Sequence, residues 1–233
     1  MQNEIIKNDL TTIILCGGKG KRLFPLTKNL PKPLVKINGK EILTYILKNQ
    51  IKYKLEDVIL ATGYKNNYFK NYQKKNSKKF KLKLVNSGLN TDIIKRLIKC
   101  ERYCKKYIMV CYGDTITDIN IDKLINFFSK NKSKIVLSSY NLKSQFGLMK
   151  ISKSGKVKSF EEKPNLNFYF NIGYFIFKKD NLKYIKSFKS FQKFLESKKS
   201  LKIFRSFIHK GDHITVNTLH ELNDAKKRLK KLN

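Results

Sequence analysis

Short apolar runs alternate with helically spaced ones through the first 140 residues. Residues 11–16 carry no charge and predict a strand buried on both faces. Helical spacing follows at 41–53, where Ile42/Ile46 and Leu43/Leu47 lie four apart. The same alternation predicts strands at 57–62, 81–85, 107–112 and 134–140, and helices at 64–73, 92–104 and 121–130. Beyond 140 the pattern changes. Residues 148–151 and 156–160 flank Ser154-Gly155 as in a hairpin, and 168–178 is a long aromatic strand. A short helix at 191–198 and a strand at 201–207 come next. The last helix opens at Thr218, where Thr218-Leu219-His220-Glu221 has the form of a capping box; Leu219, Leu222, Ala225 and Leu229 are its expected buried face.

Strand–helix alternation followed by a strand-rich stretch predicts an α/β fold. The expected architecture is a Rossmann-like mixed, mostly parallel central sheet flanked by helices, with a small antiparallel strand extension. A chain of 233 residues suits a single domain, 1–233. Ligands of such sheets bind outside the carboxyl ends of the strands. The loops after Cys16, Thr62, Val85 and Tyr112 are therefore expected to share one cleft.

The net charge of +34 raises a nucleic-acid reading, but the cations are nearly all lysine. Arginine occurs only at 22, 96, 102, 205 and 228. Base-edge recognition leans on the planar fork of arginine, so no specific nucleic-acid partner is expected. The charge would instead draw in small polyanions. Cys16, Cys100, Cys104 and Cys111 make no CxxC pair and read as free thiols in a reducing cytoplasm. No signal-like stretch occupies 1–10, and no run approaches the roughly 20 apolar residues of a membrane span, so a cytoplasmic protein without membrane attachment is expected.

Three segments carry candidate chemistry. The first runs from Leu15 through Cys16, Gly17, Gly18, Lys19, Gly20, Lys21 and Arg22, with Pro31-Lys32-Pro33 beyond it. Glycines directly after a buried strand let backbone amides approach phosphate, and Arg22 and Lys32 add the cations that a triphosphate needs. The second is Tyr112-Gly113-Asp114, where a carboxylate at a strand end can hold Mg²⁺ against phosphate oxygens. Asp118 and Asp122 read as a turn residue and an early-helix residue. The third is Ser159-Phe160-Glu161-Glu162-Lys163-Pro164, which offers an acceptor for hydroxyls and a cation for phosphate. Arg22, Lys32 and Lys163 all read as exposed cations, whose removal is expected to leave folding nearly unchanged.

Together these segments resemble the signature of the sugar-1-phosphate nucleotidyltransferases, a family with a Rossmann-like, GT-A-like fold. The resemblance includes Ile37-Asn38-Gly39-Lys40-Glu41-Ile42-Leu43 and extends over nearly the whole chain from Thr11 onward. Asn86-Ser87-Gly88-Leu89-Asn90-Thr91, Tyr112-Gly113-Asp114, Phe146-Gly147 and Val216-Asn217-Thr218 are most similar to the glucose-1-phosphate cytidylyltransferases. The resemblance implies transfer of a nucleoside monophosphate, CMP from CTP foremost, to a sugar 1-phosphate with release of pyrophosphate. It implies catalytic roles for Arg22, Lys32 and Lys163 and nucleotide contacts at Leu15, Gly17, Gly18, Gly20, Gly88, Thr91 and Gly113. It implies sugar-phosphate contacts at Gly147, Glu162 and Asn171, and a Mg²⁺ site, open also to Mn²⁺, at Asp114 and Asn217. Residues 11–140 would form the nucleotide half; residues 141–233 would form the sugar half and the C-terminal helix. A homo-oligomer is left open.

Several positions depart from the family pattern. Lys21 replaces a threonine, and Asp92-Ile93-Ile94-Lys95-Arg96 replaces Met-Thr-Gly-Gly-Arg. Ile172 replaces a glycine and is expected to reshape the sugar pocket. Asn217 replaces the second metal-binding aspartate; a neutral amide oxygen holds Mg²⁺ less firmly than a carboxylate, so Asn217→Asp is expected to lower the Mg²⁺ requirement. Two alternatives follow from these changes: a catalytically weakened relative that binds nucleotide or sugar phosphate, and a CMP transferase acting on a non-sugar phosphate.

Overall fold

The computed structural model describes residues 2–131 and 133–231. Its strands in chain order are β1 (Leu10–Leu15), β2 (Lys36–Ile37), β3 (Lys40–Glu41), β4 (Val58–Thr62), β5 (Leu82–Asn86), β6 (Tyr107–Tyr112) and β7 (Thr115–Thr117). Then come β8 (Ile135–Lys143), β9 (Leu148–Ile151), β10 (Val157–Glu161), β11 (Asn165–Lys178), β12 (Phe204–His209) and β13 (His213–Thr215). Seven strands form one sheet in the order β12-β8-β11-β6-β1-β4-β5. β1 is parallel to β4 and β6, β4 to β5, and β12 to β8. β11 is antiparallel to both its neighbours, so it alone runs against the rest of this sheet. The mixed, mostly parallel sheet expected from the sequence is present. β8, into which the boundary expected at 140/141 falls, is joined to the nucleotide-side strands through β11.

Strand alternation explains why helices cover both faces. In β1, Ile13 and Ile14 are both fully buried yet belong to different cores. Successive side chains on a strand point to opposite sides. On the side of Ile14 lie α1 (Gln2–Asn8), α3 (Ile42–Lys52), α4 (Asn66–Asn76), α6 (Ile121–Lys130) and α10 (Leu219–Lys231). On the side of Ile13 lie α5 (Ile93–Glu101), α7 (Leu182–Lys186) and α8 (Phe191–Glu196). Two four-residue helices, α2 (Leu26–Asn29) and α9 (Lys198–Leu201), complete the set. The four cysteines are free and buried within these cores. Among the described residues, no helix is long and apolar enough to cross a membrane.

Most elements fall where periodicity puts them, and Tyr107–Tyr112 and Ile121–Lys130 match to the residue. Three differences have local causes. The strand expected at 201–207 starts at Phe204, because α9 occupies the preceding residues and buries Ser200. Leu219 is 45% exposed, so Leu222, Ala225 and Leu229 alone of the four expected residues bury on α10. The β7–β13 pair has no counterpart in the periodicity, since three-residue strands are too short to display a period. That pair matters most for the site: it lays the segment before α10 alongside the residues that follow Asp114.

Candidate active site

The loops at the carboxyl ends of β1 and β6 open into a cleft of about 480 Å³. Leu15, Gly17, Gly18, Gly20, Arg22, Lys32, Thr91, Gly113, Asp114 and Asn217 all line it. Gly20 takes the left-handed region, with φ at 62°, and its carbonyl accepts from Thr27 Oγ1 at 2.8 Å. That turn brings Lys21–Leu23, a single 3₁₀ turn, back over the cleft. A second 3₁₀ turn, Lys32–Leu34, starts after Pro31 and aims Lys32 inward.

Three chain regions meet on one amide oxygen. Lys32 Nζ donates to Asp114 Oδ2 at 2.5 Å and to Asn217 Oδ1 at 2.8 Å. Arg22 Nη2 donates to the same Asn217 oxygen at 2.9 Å. Lys32 is only 8% exposed, so the expectation that all three cations are exposed holds for Arg22 and Lys163 and fails for Lys32. A buried ammonium needs paired acceptors, and Asp114 with Asn217 supplies them.

Arg96 is the residue whose role sequence reasoning missed. It occupies the place of the family arginine in the altered 92–96 segment and is 5% exposed. Its Nη1 donates to Ser87 Oγ at 2.5 Å, to Gly88 O at 3.2 Å and to Thr62 O at 3.3 Å; its Nη2 donates to Gly17 O at 3.2 Å. One guanidinium thus ties together the loops after β1, β4 and β5. Burial lowers its pKa from the ordinary arginine value. A Cβ on Gly17 would fall inside this guanidinium, so any larger residue there would have to displace Arg96 from these acceptors. Thr91 Oγ1 donates to Ser87 O and Gly88 O, both at 2.8 Å, and closes the same loop. The glycines absent from this segment are replaced by a helix start: Asp92 caps α5 by accepting from Ile94 N at 2.9 Å. Ile94 enters the core and Ile93 lines the cleft.

The remaining predicted residues lie outside the cleft lining. Gly88 lies against Arg96, a residue of the lining, through its carbonyl. Gly147 faces Phe160 and the Glu162 carboxylate, so the ends of the β9–β10 hairpin meet there. Lys163 is exposed, has φ at 47° and pairs with Glu162 at 3.6 Å. Asn171 Oδ1 accepts from Gly173 N at 2.8 Å, and its side chain also reaches the hydroxyl of Tyr112, a cleft residue. Burial, with the charge of Asp114, pushes the Tyr112 phenol up to about 12. Ile172, expected from the sequence to reshape the sugar pocket, packs its side chain into the main core, where it is 1% exposed.

Asp118 and Asp212 belong elsewhere. Asp118 Oδ1 accepts from Asp212 N at 2.6 Å and lies 3.1 Å from His209, while Asp212 pairs with Arg228 at 3.1 Å. Among the described residues no group of three or more His, Cys, Asp or Glu side chains could hold a metal. Asp114 Oδ2 and Asn217 Oδ1 nevertheless converge on one cationic point, the Lys32 ammonium. Hard oxygen donors so arranged fit Mg²⁺, which takes much of its coordination from water and substrate phosphates.

The fold and this cleft define a class: an α/β protein with a cationic, carboxylate-bearing site at the ends of parallel strands. The family model described as "Nucleotidyl transferase" matches residues 11–220, and the chain belongs to this family as a sugar-1-phosphate nucleotidyltransferase. Glucose-1-phosphate cytidylyltransferase of Salmonella typhimurium is 30% identical over 179 residues, covering 66% of this chain and 69% of its own. D-glycero-alpha-D-manno-heptose 1-phosphate guanylyltransferase of Campylobacter jejuni is 34% identical over 160 residues, covering 66% and 69%. The structure of HddC from Yersinia pseudotuberculosis complexed with GMP-PN superposes with a TM-score of 0.71 at 22% identity, covering 94% of this chain and 99% of that one. The relatives differ in nucleotide, so the family shares the transfer and not the base.

Proposed function

We propose that the protein transfers CMP from CTP to a sugar 1-phosphate. The acceptor phosphate oxygen attacks the α-phosphorus in line; the new P–O bond forms as the α–β bridge breaks, and pyrophosphate leaves with its electron pair. No protein nucleophile takes part, so the work is positioning and charge neutralisation. The observation that carries this reading is the convergence of Arg22 and Lys32 on Asn217, with Lys32 also on Asp114, at the mouth of the glycine loop.

Arg22 holds the departing phosphates and Lys32 faces the α-phosphate. Gly17, Gly18, Gly20, Leu15 and Gly113 give the nucleotide close backbone approach, and the Gly88-to-Thr91 loop meets the base. Lys163 takes the acceptor phosphate; Gly147, Glu162 and Asn171 take the sugar. Asp114 and Asn217 would hold Mg²⁺, which neutralises charge on the phosphate oxygens when bound. Residues 11–140 thus serve the nucleotide, and residues 141–233 serve the sugar and add Asn217 to the nucleotide side.

The choice of CTP rests on the Asn86-to-Thr91 run, and the guanylyltransferase relative makes GTP the first competitor. The amide at 217 favours one other reading, a weakened relative that binds these ligands without turnover. Pyrophosphate release measured over four triphosphates and several phosphorylated acceptors with Mg²⁺ tests all three. Turnover with CTP and a sugar 1-phosphate supports the proposal. Preference for GTP reassigns the base, and binding without turnover on any pair supports the second reading.

A further inference from the structure

Both polar side-chain atoms of Asn217 and its backbone N–H are engaged. Its Oδ1 accepts from Lys32 and Arg22 at 2.8 and 2.9 Å. Its backbone N and its Nδ2 both donate to one oxygen, Glu221 Oε2, at 2.8 and 3.2 Å. The same carboxylate oxygen accepts from Thr215 Oγ1 at 3.1 Å. This departs from the capping box expected at 218–221. Glu221 N does donate to Thr218 Oγ1 at 3.2 Å, but the carboxylate reaches back to residue 217 instead of to the cap residue. The amide can sit only one way round. An NH₂ group cannot accept from two cations, and a carbonyl oxygen cannot donate to a carboxylate.

We infer that Glu221 is a positioning residue: it locks the Asn217 amide with its oxygen toward Arg22 and Lys32, and so aligns both cations of the triphosphate clamp. The clamp itself rests on the function proposed above; the locking does not. Asparagine at 217 is then a fitted partner of Glu221 and not a damaged aspartate. An aspartate would place a carboxylate oxygen where Nδ2 now lies, 3.2 Å from Glu221 Oε2. Like charges that close resist joint ionisation. Asn217→Asp alone therefore destabilises the site, which revises the expectation that it would simply improve Mg²⁺ binding. Asn217→Asp together with Glu221→Gln removes the conflict, because a glutamine amide can donate to the new carboxylate.

Two measurements test this. The first is calorimetric titration of the four ribonucleoside triphosphates into wild type, Glu221→Ala and Glu221→Gln, in EDTA and in Mg²⁺. Glu221→Ala is expected to weaken metal-free binding about tenfold, on the scale of one lost charge-assisted hydrogen bond. Glu221→Gln should restore it to within about twofold, since a glutamine oxygen accepts the same three bonds. The second is thermal melting without ligand of Asn217→Asp with either Glu or Gln at 221. The single change should lower the melting temperature, and the added Gln should raise it again. If Glu221→Ala melts lower but binds triphosphate like wild type, Glu221 is a helix cap only and the inference fails. Equal losses from Asn217→Asp in both backgrounds also overturn it. If Glu221→Ala does not fold, the Gln variants still decide. Absence of triphosphate binding by wild type overturns the nucleotide reading alone, and the melting comparison then decides the coupling.

Discussion

The guanidinium of Arg96 fills the space that a Cβ on Gly17 would need, and it donates to the Gly17 carbonyl at 3.2 Å. The glycine loop after β1 is thus shaped from behind by a buried cation on α5. Among the described residues that cation pairs with no carboxylate at bonding distance; it donates to three backbone carbonyls and one hydroxyl.

Arg96→Ala leaves those acceptors buried without their donor and should cost on the order of 3 kcal/mol. Gly17→Ala should cost about 1–3 kcal/mol by overpacking. In the double variant the methyl group has room, so the two losses should fall short of additive by about 1 kcal/mol or more. Chemical denaturation of the four proteins checks this; strict additivity would mean that the two groups do not touch in solution.

Arg22→Ala and Lys32→Ala should each lower kcat/KM for the triphosphate by roughly 10²-fold, the scale of a lost transition-state donor. Lys163→Ala should act on KM for the sugar phosphate more than on KM for the triphosphate. Stability separates them further. Lys32→Ala strips a partner from Asp114 and Asn217 at a buried point and should lower the melting temperature, whereas the exposed Arg22 and Lys163 should not. Steady-state kinetics with melting curves give both readouts, and wild-type kinetics in all three variants would refute the site.

His213 stacks on Tyr140 at 5.4 Å between ring centroids, and its buried Nε2 has no hydrogen-bond partner among the described residues. Burial first, then His209 and Arg228, lower its pKa to about 4, against a partial opposing pull from Asp114. The unfolded chain binds this proton near pH 6.5. Between about 6.5 and about 4 the unfolded state therefore holds more protons, so stability should fall as pH drops through that window. His213→Phe should flatten this part of the profile, as measured by urea midpoints at pH 7.5, 6 and 5. An unchanged slope would assign the acid sensitivity to other groups.

Nucleic-acid binding should reflect the +34 charge alone: weak, indifferent to sequence and lost with rising salt. Fluorescence titration of two unrelated oligonucleotides across a salt series checks it. A sequence-selective complex that survives high salt would contradict the small-anion reading of the charge.

The sequence by itself determined the alternation of strands and helices, because buried strands and amphipathic helices leave periods of two and about 3.6 in the apolar positions. It also determined the identity of the glycine loop and of Asp114, since these sit directly after apolar runs whose ends define a cleft. Tertiary structure decided the rest. Asn217 meets Arg22 and shares Lys32 with Asp114 because β13 pairs with β7, a contact between segments about a hundred residues apart that no local pattern encodes. Lys32 is buried and Lys163 exposed although both precede a proline, because burial depends on which acceptors the fold brings near. Ile172 went to the core and Arg96 to the back of the glycine loop for the same reason: a side chain's surroundings are set by what packs opposite it. Glu221 left a trace in sequence as the end of a capping pattern, and the fold turned its carboxylate one residue further back, onto Asn217.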